Sequence, residues 1–193
     1  MPAAAGSGGA AAAAVAAALA AARAGVEVCL VERFGCFGGN ITVVGVEGFA
    51  WYRHEATVEA GGIGREFEDR ARDMGAAVPE SQSLSYEIDS EGFKLVADRL
   101  VEEAGVHGML HRQFVAPVMD GDRIAGIIVE SKAGREAILA RVVIDATGDA
   151  DVAHRAGAST NKTPAEHMQA ASVMFHLAGV DKAAFLEEVR RDP

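Results

Sequence analysis

Cysteine is scarce in this sequence. Two cysteines in 193 residues build no disulfide framework and no cysteine-rich metal or iron–sulfur site. A reduced, cytoplasmic setting is the expectation that follows. Basic residues are also in short supply, with 18 Lys and Arg against 28 Asp and Glu and a formal net charge of −10. The pI near 5.0 argues against nucleic acid as a partner, because phosphate contacts need clustered Lys and Arg. The first five residues carry no charged side chain, so the basic leading region of a secretory signal is missing. What is present is 50% hydrophobic and 24% charged, the profile of a globular chain with an ample core. The length alone suggests one domain.

One excess stands against these shortages. Residues 10–24 hold 12 alanines in 15 positions. A membrane span needs about 20 apolar residues, and this run meets Arg23 first, with Val15 and Leu19 as its larger apolar groups. No membrane association is expected. Alanine is the best helix former, so a helix is predicted. An alanine surface buries little area, and such a helix must pack very close to its neighbour.

The residues on either side of this helix give it a context. Gly6-Ser7-Gly8-Gly9-Ala10-Ala11 fits the pattern G-x-G-x-x-G/A, with Ala11 in the third place. Gly25 supplies a helix stop. Residues 26–31 form a short β-branched run ending at Glu32, 26 residues after Gly6. Turn, helix, strand and acid follow the order of a dinucleotide-binding βαβ unit. Gly6 and Gly8 permit the tight turn and close approach to a pyrophosphate, with Gly9 as a further candidate contact, the helix N-terminus offers N–H groups to that phosphate, and the acid accepts from ribose hydroxyls. Only Met1-Pro2-Ala3-Ala4-Ala5 precedes the turn. These are poor strand formers, so either the first strand is degraded or the unit begins upstream.

Further along, paired glycines at 38 and 39 suggest backbone close to a ligand. Residues 43–62 read as irregular, with Trp51, Tyr52, Arg53 and His54 clustered. A helix is predicted from Ile63, with Phe67, Ala71 and Met74 on the same face. Residues 76–86 read as a loop. Asp89 or Ser90 can cap a second helix, with Phe93, Val96, Ala97, Leu100 and Ala104 as its stripe. A short strand is expected at 106–110. Runs at 114–119, 123–131 and 136–144 are separated by turn residues and predict an antiparallel meander, with Pro117 at an edge or a bulge. A short helix is expected over 151–156, a loop over 159–166, a β-prone run over 170–177 and a charged helix over 181–191.

These marks together resemble the FAD-dependent oxidoreductase family, within the wider heterodisulfide reductase A-like and glutathione reductase-type flavoproteins. The resemblance rests on G-S-G-G-A-A (6–11), A-A-R-A-G (21–25), L-V-E-R-F-G-C-F-G-G (30–39), G-G-I-G-R-E-F (61–67) and V-V-I-D-A-T-G-D-A-D-V-A (142–153). It implies an α/β, Rossmann-type FAD-binding domain over 1–158 with an antiparallel β-meander insertion at 114–144. Residues 159–193 would begin a substrate-side region. Family members are much longer, so the C-terminal part of the family fold is expected to be missing. The resemblance also implies roles for particular positions. Gly6, Gly8 and Ala11 would shape the FAD pyrophosphate turn, Glu32 would bind the adenosine ribose, and Arg33 would lie beside the adenine. Gly38, Gly39, Asn40 and Thr42 would run past the pyrophosphate and flavin. Val115 would offer backbone groups to the adenine, and Ala146, Thr147 and Gly148 would close on the cofactor. Asp149 is either a polar contact in that loop or a helix cap.

The catalytic residues stay unassigned, because a flavin carries the redox chemistry itself. Cys36 lies two places before Gly38, but Cys29 and Cys36 match no redox or metal spacing, and a small residue packed near the cofactor is the competing reading. His54, with Tyr52 and Arg53, is the first place to look for substrate contacts, against a plain surface loop. The other histidines show no metal spacing. The function expected is flavin-mediated hydride or two-electron transfer on a small-molecule substrate, with an electron-transfer partner or a homodimer left open. An NAD(P)-binding dehydrogenase module and a non-catalytic truncated fragment are the alternatives.

Overall fold

A computed structural model of the chain describes residues 3–7, 11–48, 53–54, 57–58, 61–80 and 85–191. Strand β1 (Ala3–Ser7) leads to helix α1 (Ala11–Arg23) and strand β2 (Val28–Glu32). A π-helical turn covers Asn40–Val44, followed by the two-residue strands β3 (Arg53–His54) and β4 (Thr57–Val58). Helix α2 (Ile63–Asp73), strands β5 (Ala77–Pro79) and β6 (Tyr86–Ile88), and helix α3 (Ser90–Glu103) come next. Strands β7 (His107–Met109), β8 (Gln113–Asp120), β9 (Arg123–Ser131), β10 (Gly134–Leu139) and β11 (Val142–Ala146) follow. Helix α4 (Asp151–Arg155) and helix α5 (Lys182–Arg191) complete the order.

A parallel sheet in the order β11-β1-β2-β7 forms the centre. The alanine-poor-in-bulk strand β1 sits in its middle, paired on both sides. Backbone hydrogen bonds to two neighbours outweigh the weak strand preference of its side chains. Strand β2 is buried throughout, and its alternation divides the core in two. Val28 and Leu30 face Ala14, Val15, Ala18 and Leu19 of α1, together with the apolar stripes of α2 and α3. Cys29 and Val31 face Ile127 and Val129 of β9 and Val152 of α4. The layers are therefore helices, parallel sheet, then the three-stranded antiparallel sheet β10-β9-β8. In α3 the expected stripe is buried from Phe93 to Leu100, and Asp89 caps it by accepting from the Gly92 N–H. Ion pairs join the helices on the outside. Arg23 contacts both carboxylate oxygens of Glu66, at 2.6 and 2.8 Å, and Arg70 pairs with Glu103. Pairs this exposed contribute little each.

Three expectations need correction. The run 136–144 is not one strand. Residues up to Leu139 belong to the meander, whereas Val142–Ala146 join the parallel sheet. The chain changes layers at Ala140, which is buried and donates its N–H to the Ala125 carbonyl (2.9 Å). Gly126 permits that crossing, since a Cβ there would lie 2.3 Å from the Ile138 carbonyl oxygen. The stretch 76–86 is not all loop, because β5 pairs with β6 through Ala77↔Ile88 and Pro79↔Tyr86. The β-prone run 170–177 forms no strand. Among the described residues no strand pairs with it, and Val173 is 85% and Phe175 72% exposed; an extended segment gains a ladder only from a partner. Pro117 is found as expected, in edge strand β8 between two register shifts.

The close seat of α1 on the sheet gives a direct test. Ala18 is 0% exposed. Ala18→Leu adds three carbons where there is no space, and it is expected to lower stability by about 1–3 kcal/mol. Thermal unfolding followed by circular dichroism checks it; an unchanged melting temperature would show that the helix has room to spare.

Candidate functional site

The parallel sheet brings three separate sequence marks to one level. Ser7 at the end of β1 is in register with Glu32 at the end of β2 and with Ala146 at the end of β11. One step back, Gly6 is level with Val31 and Asp145. The carboxyl ends of parallel strands are where an open α/β sheet presents its crevice. Helix α1 starts four residues after Ser7, so its N-terminus lies at the same end. Gly8 and Gly9 of the glycine turn fall outside the described residues, and Ala11 is the first residue of α1.

Glu32 is 1% exposed. A buried carboxylate requires hydrogen bonds, and its Oε1 accepts from the Phe34 N–H at 3.0 Å. The Arg33 guanidinium lies 4.5 Å from the Phe34 ring centroid. This loop is tied to the segment after β7. The Glu32 carbonyl accepts from the Arg112 N–H (2.9 Å), and the Phe34 carbonyl from the His111 N–H (3.0 Å). His111 has φ 54, and its ring fills the space beside Gly35, where a Cβ would come within 2.8 Å of it. The acid, Arg33 and the start of β8 are thus held together.

Gly38 and Gly39 both have positive φ, 110 and 61. A Cβ on Gly38 would lie 2.5 Å from Thr42 Cγ2, so the chain folds back on itself here. The Thr42 hydroxyl donates to the Phe37 carbonyl at 2.8 Å and the side chain is buried. Thr42 therefore shapes this turn from inside. Asn40 opens the π-helical turn and is exposed. A cleft of about 350 Å³ runs between residues 42–45 and residues 174–176, with Ser90 and Lys94 beside it.

Val115 occupies a register shift in β8, between the paired residues Phe114 and Ala116. A bulge of this kind takes a backbone group out of the ladder. The Val115 carbonyl accepts from Arg155 Nη1 at 2.6 Å, and that guanidinium also lies 5.9 Å from the Phe114 ring. Arg155 carries no signal in the sequence that separates it from a surface residue.

The loop after β11 is organised by a residue that the sequence reading passed over. Asp145 Oδ1 accepts from the Thr147 N–H (3.0 Å) and the Thr147 hydroxyl (2.7 Å). Its Oδ2 accepts from the Ala153 N–H at 2.9 Å. Burial alone would raise this carboxyl, but the bonds from Ala153, Thr147 and the Val152 backbone outweigh it and hold Asp145 below the usual aspartate range. Thr147, itself buried, accepts from the Asp151 N–H (2.9 Å). These contacts serve the start of α4, whose N-cap is Ala150 in the left-handed conformation. The helix-cap alternative for Asp149 is therefore corrected: Thr147 and Asp145 do that work, and Asp149 stands exposed in the loop. The available signal was the D-x-T spacing, which favours local side-chain to backbone bonds. Beside the loop, Ala13 and Ala17 of α1 and Ile144, Asp145, Ala146 and Gly148 line an open cleft of about 560 Å³.

The remaining candidates are placed as follows. Cys29 and Cys36 are both free thiols. Cys29 is buried in β2, its thiol 3.3 Å from Met109 Sδ, and burial pushes it up to about 11. That is the environment of an inert core cysteine. Arg53 and His54 form β3, opposite Thr57 and Val58; Trp51 and Tyr52 fall outside the described residues. Among the described residues, no group of His, Cys, Asp and Glu could hold a metal ion, and no helix is long and apolar enough to cross a membrane.

A dinucleotide fits this arrangement. Glycine backbone, a helix N-terminus and a buried carboxylate meet at one sheet end, and the glycine at 38 lets the next turn close onto Thr42. Comparisons with known proteins agree. The family model of the FAD dependent oxidoreductases matches residues 8–193. No curated protein matches the chain. Among solved structures, a geranylgeranyl bacteriochlorophyll reductase-like protein from Thermoplasma acidophilum is similar, with TM-score 0.58 and 17% identity, covering 81% of this chain and 41% of that one. THI4 from Thermovibrio ammonificans gives TM-score 0.57 and 20% identity over 80% of this chain and 60% of its own. A glycerol-3-phosphate dehydrogenase from Bacillus halodurans, complexed with FAD, gives TM-score 0.51 and 14% identity over 76% and 34%. The chain thus spans less than two thirds of the length of each. With its fold and its family model in agreement, the chain belongs to the FAD-dependent oxidoreductase family, and its cofactor is FAD.

Proposed function

We propose that this chain is the FAD-binding part of an oxidoreductase of the heterodisulfide reductase A-like, glutathione reductase-type group. When bound, FAD supplies hydride or two-electron transfer, acting here on a small-molecule substrate in the cytoplasm. The observation that carries the reading is the common level of Ser7, Glu32 and Ala146 at the carboxyl end of the parallel sheet. In this reading residues 1–158 form the FAD-binding domain, with the 114–144 meander as its insertion. Residues 159–193 begin the substrate-side region; their uniform exposure in the described part supports that division.

The chain's own residues act by binding and orienting. The sequence turn of Gly6, Gly8, Gly9 and Ala11 would bring backbone N–H groups to the pyrophosphate, where the dipole of α1 adds favourable potential. Glu32 accepts from the adenosine ribose hydroxyls; a carboxylate takes several hydrogen bonds at once, so its contact with Phe34 is compatible with that task. Arg33 would lie beside the adenine. Val115 presents its bulged backbone to the adenine edge, where the carbonyl's two lone pairs let an amino group join or replace Arg155. Gly38, Gly39 and Asn40 line the path toward the flavin, and Thr42 holds their turn in shape. Ala146, Thr147, Gly148 and Asp149 close over the cofactor from the β11 side.

The visible spectrum of the purified chain is the first test. An absorption band near about 450 nm, present on purification or after adding FAD, is expected. A colourless chain that ignores FAD would sink the reading, and one that binds NADH instead would point to a nicotinamide dehydrogenase module. Residue by residue, Glu32→Ala is expected to weaken FAD binding by about 1–3 kcal/mol, the scale of lost hydrogen bonds to a charged group. Titration by flavin fluorescence measures it; unchanged affinity contradicts the ribose role.

A further inference from the structure

The loop after β11 carries more organisation than a simple connection needs. Residues 148 and 150 both sit at positive φ, Gly148 at 90 and Ala150 at 58. Alanine disfavours that region, because its Cβ approaches the following carbonyl. A short loop keeps such a shape only when its surroundings over-determine it. The surroundings here are one carboxylate. Both oxygens of Asp145 are engaged, Oδ1 by the N–H and hydroxyl of Thr147 and Oδ2 by the N–H of Ala153. The Thr147 hydroxyl passes the constraint on by accepting from the Asp151 N–H. Four hydrogen bonds thus fix both ends of the segment 146–153 relative to β11.

The position of this clamp matters as much as its strength. Asp145 is level with Gly6, the first glycine of the turn, and Ala146 is level with Ser7. The cleft beside Asp145 is walled by Ala13 and Ala17 of α1. The loop therefore projects from the sheet end where the glycine turn begins. A loop pre-set at a binding crevice lowers the ordering cost of the ligand that meets it.

We propose that Asp145 is a positioning residue for the cofactor: through Thr147 and the first turn of α4, its carboxylate pre-sets the loop 146–150 that closes on FAD. The inference rests on the functional reading above and adds a residue to it. Both carboxylate oxygens of Asp145 are taken up by the loop and the start of α4, so its effect on binding is exerted through Thr147 and Gly148. The clamp needs acceptors on both sides of the carboxyl group. An asparagine of the same shape turns one of them into a donor facing an N–H or the Thr147 hydroxyl.

The experiment uses the whole 193-residue chain. FAD is titrated into wild type, Asp145→Asn, Thr147→Val and Thr147→Ser, following flavin fluorescence. Melting of each chain without FAD, and amide hydrogen exchange over 147–153, are recorded in parallel. Asp145→Asn is expected to raise the FAD dissociation constant by about tenfold or more. Exchange over 147–153 should accelerate, while the cofactor-free melting temperature moves by only a few degrees. Thr147→Val should give a smaller loss of the same kind, and Thr147→Ser, which restores the hydroxyl, should bind like wild type. If Asp145→Asn does not fold, the valine and serine variants decide the matter by the same readouts. Unchanged FAD affinity in Asp145→Asn, or a loss that merely tracks a fall in melting temperature, overturns the proposal and leaves the FAD reading intact. A wild-type chain that takes up no FAD overturns both.

Discussion

The structure depends on parallel register in the strand triplet β11-β1-β2. Parallel neighbours bring their carboxyl ends to one level only when the crossovers between them return the chain to the same starting edge. Here α1 makes the first return, and everything from the π-helical turn to β10 intervenes before β11 arrives on the other side of β1. The consequence is that residues 7, 32 and 146, remote in sequence, stand side by side. A strand of alanines suffices at the centre, because its place is held by two backbone ladders. The bulk needed to fill the core comes from β2 and from the helices.

That register explains why so much of the site was legible. The glycine turn, the acid at the end of β2 and the A-T-G-D loop each mark a strand end, and a fixed strand order does the rest. Patterns with a regular period were equally readable: Asp89 capping α3, and the stripe from Phe93 to Leu100. What escaped was less local. The division of 136–144 between two sheets depends on Gly126, a residue on a different strand that lets Leu139 approach. The β character of 170–177 was a propensity that meets no partner strand among the described residues. Asp145 was overlooked because an aspartate at a strand end reads as a turn residue, and its bonds from the Val152 and Ala153 backbone reach seven and eight residues along the chain only once α4 has formed.

The two faces of β2 also link packing to the site. Its even-numbered apolar residues, Val28 and Leu30, belong to the helical core, and its odd-numbered residues, Cys29 and Val31, to the core beneath the meander. Glu32 ends this strand and is as buried as the residues before it. An ionised group in such a place persists only with hydrogen bonds, and the loop that supplies one, at Phe34, is itself pinned to His111 and Arg112. The position of the acid is thus inherited from both cores at once.

Charge gives the last constraint. The chain carries a formal net charge of −10, and a dinucleotide pyrophosphate is also negative. Bringing the two together by clustered Lys and Arg is not the course taken in the described residues around the sheet end, where Arg33 and Arg155 engage aromatic rings and Arg112 is paired with Glu136. Backbone groups are the alternative. Helices α2, α3 and α4 each carry an acid in the first turn, Glu66, Glu91 and Asp151, where it complements their own dipoles. Helix α1 carries none. Its positive end is therefore left uncompensated by its own side chains, at the end of the sheet where Ser7, Glu32 and Ala146 meet. The alanines that let α1 lie close to the strands also keep that end free of carboxylates, so one compositional bias serves both the packing and the electrostatics of the crevice.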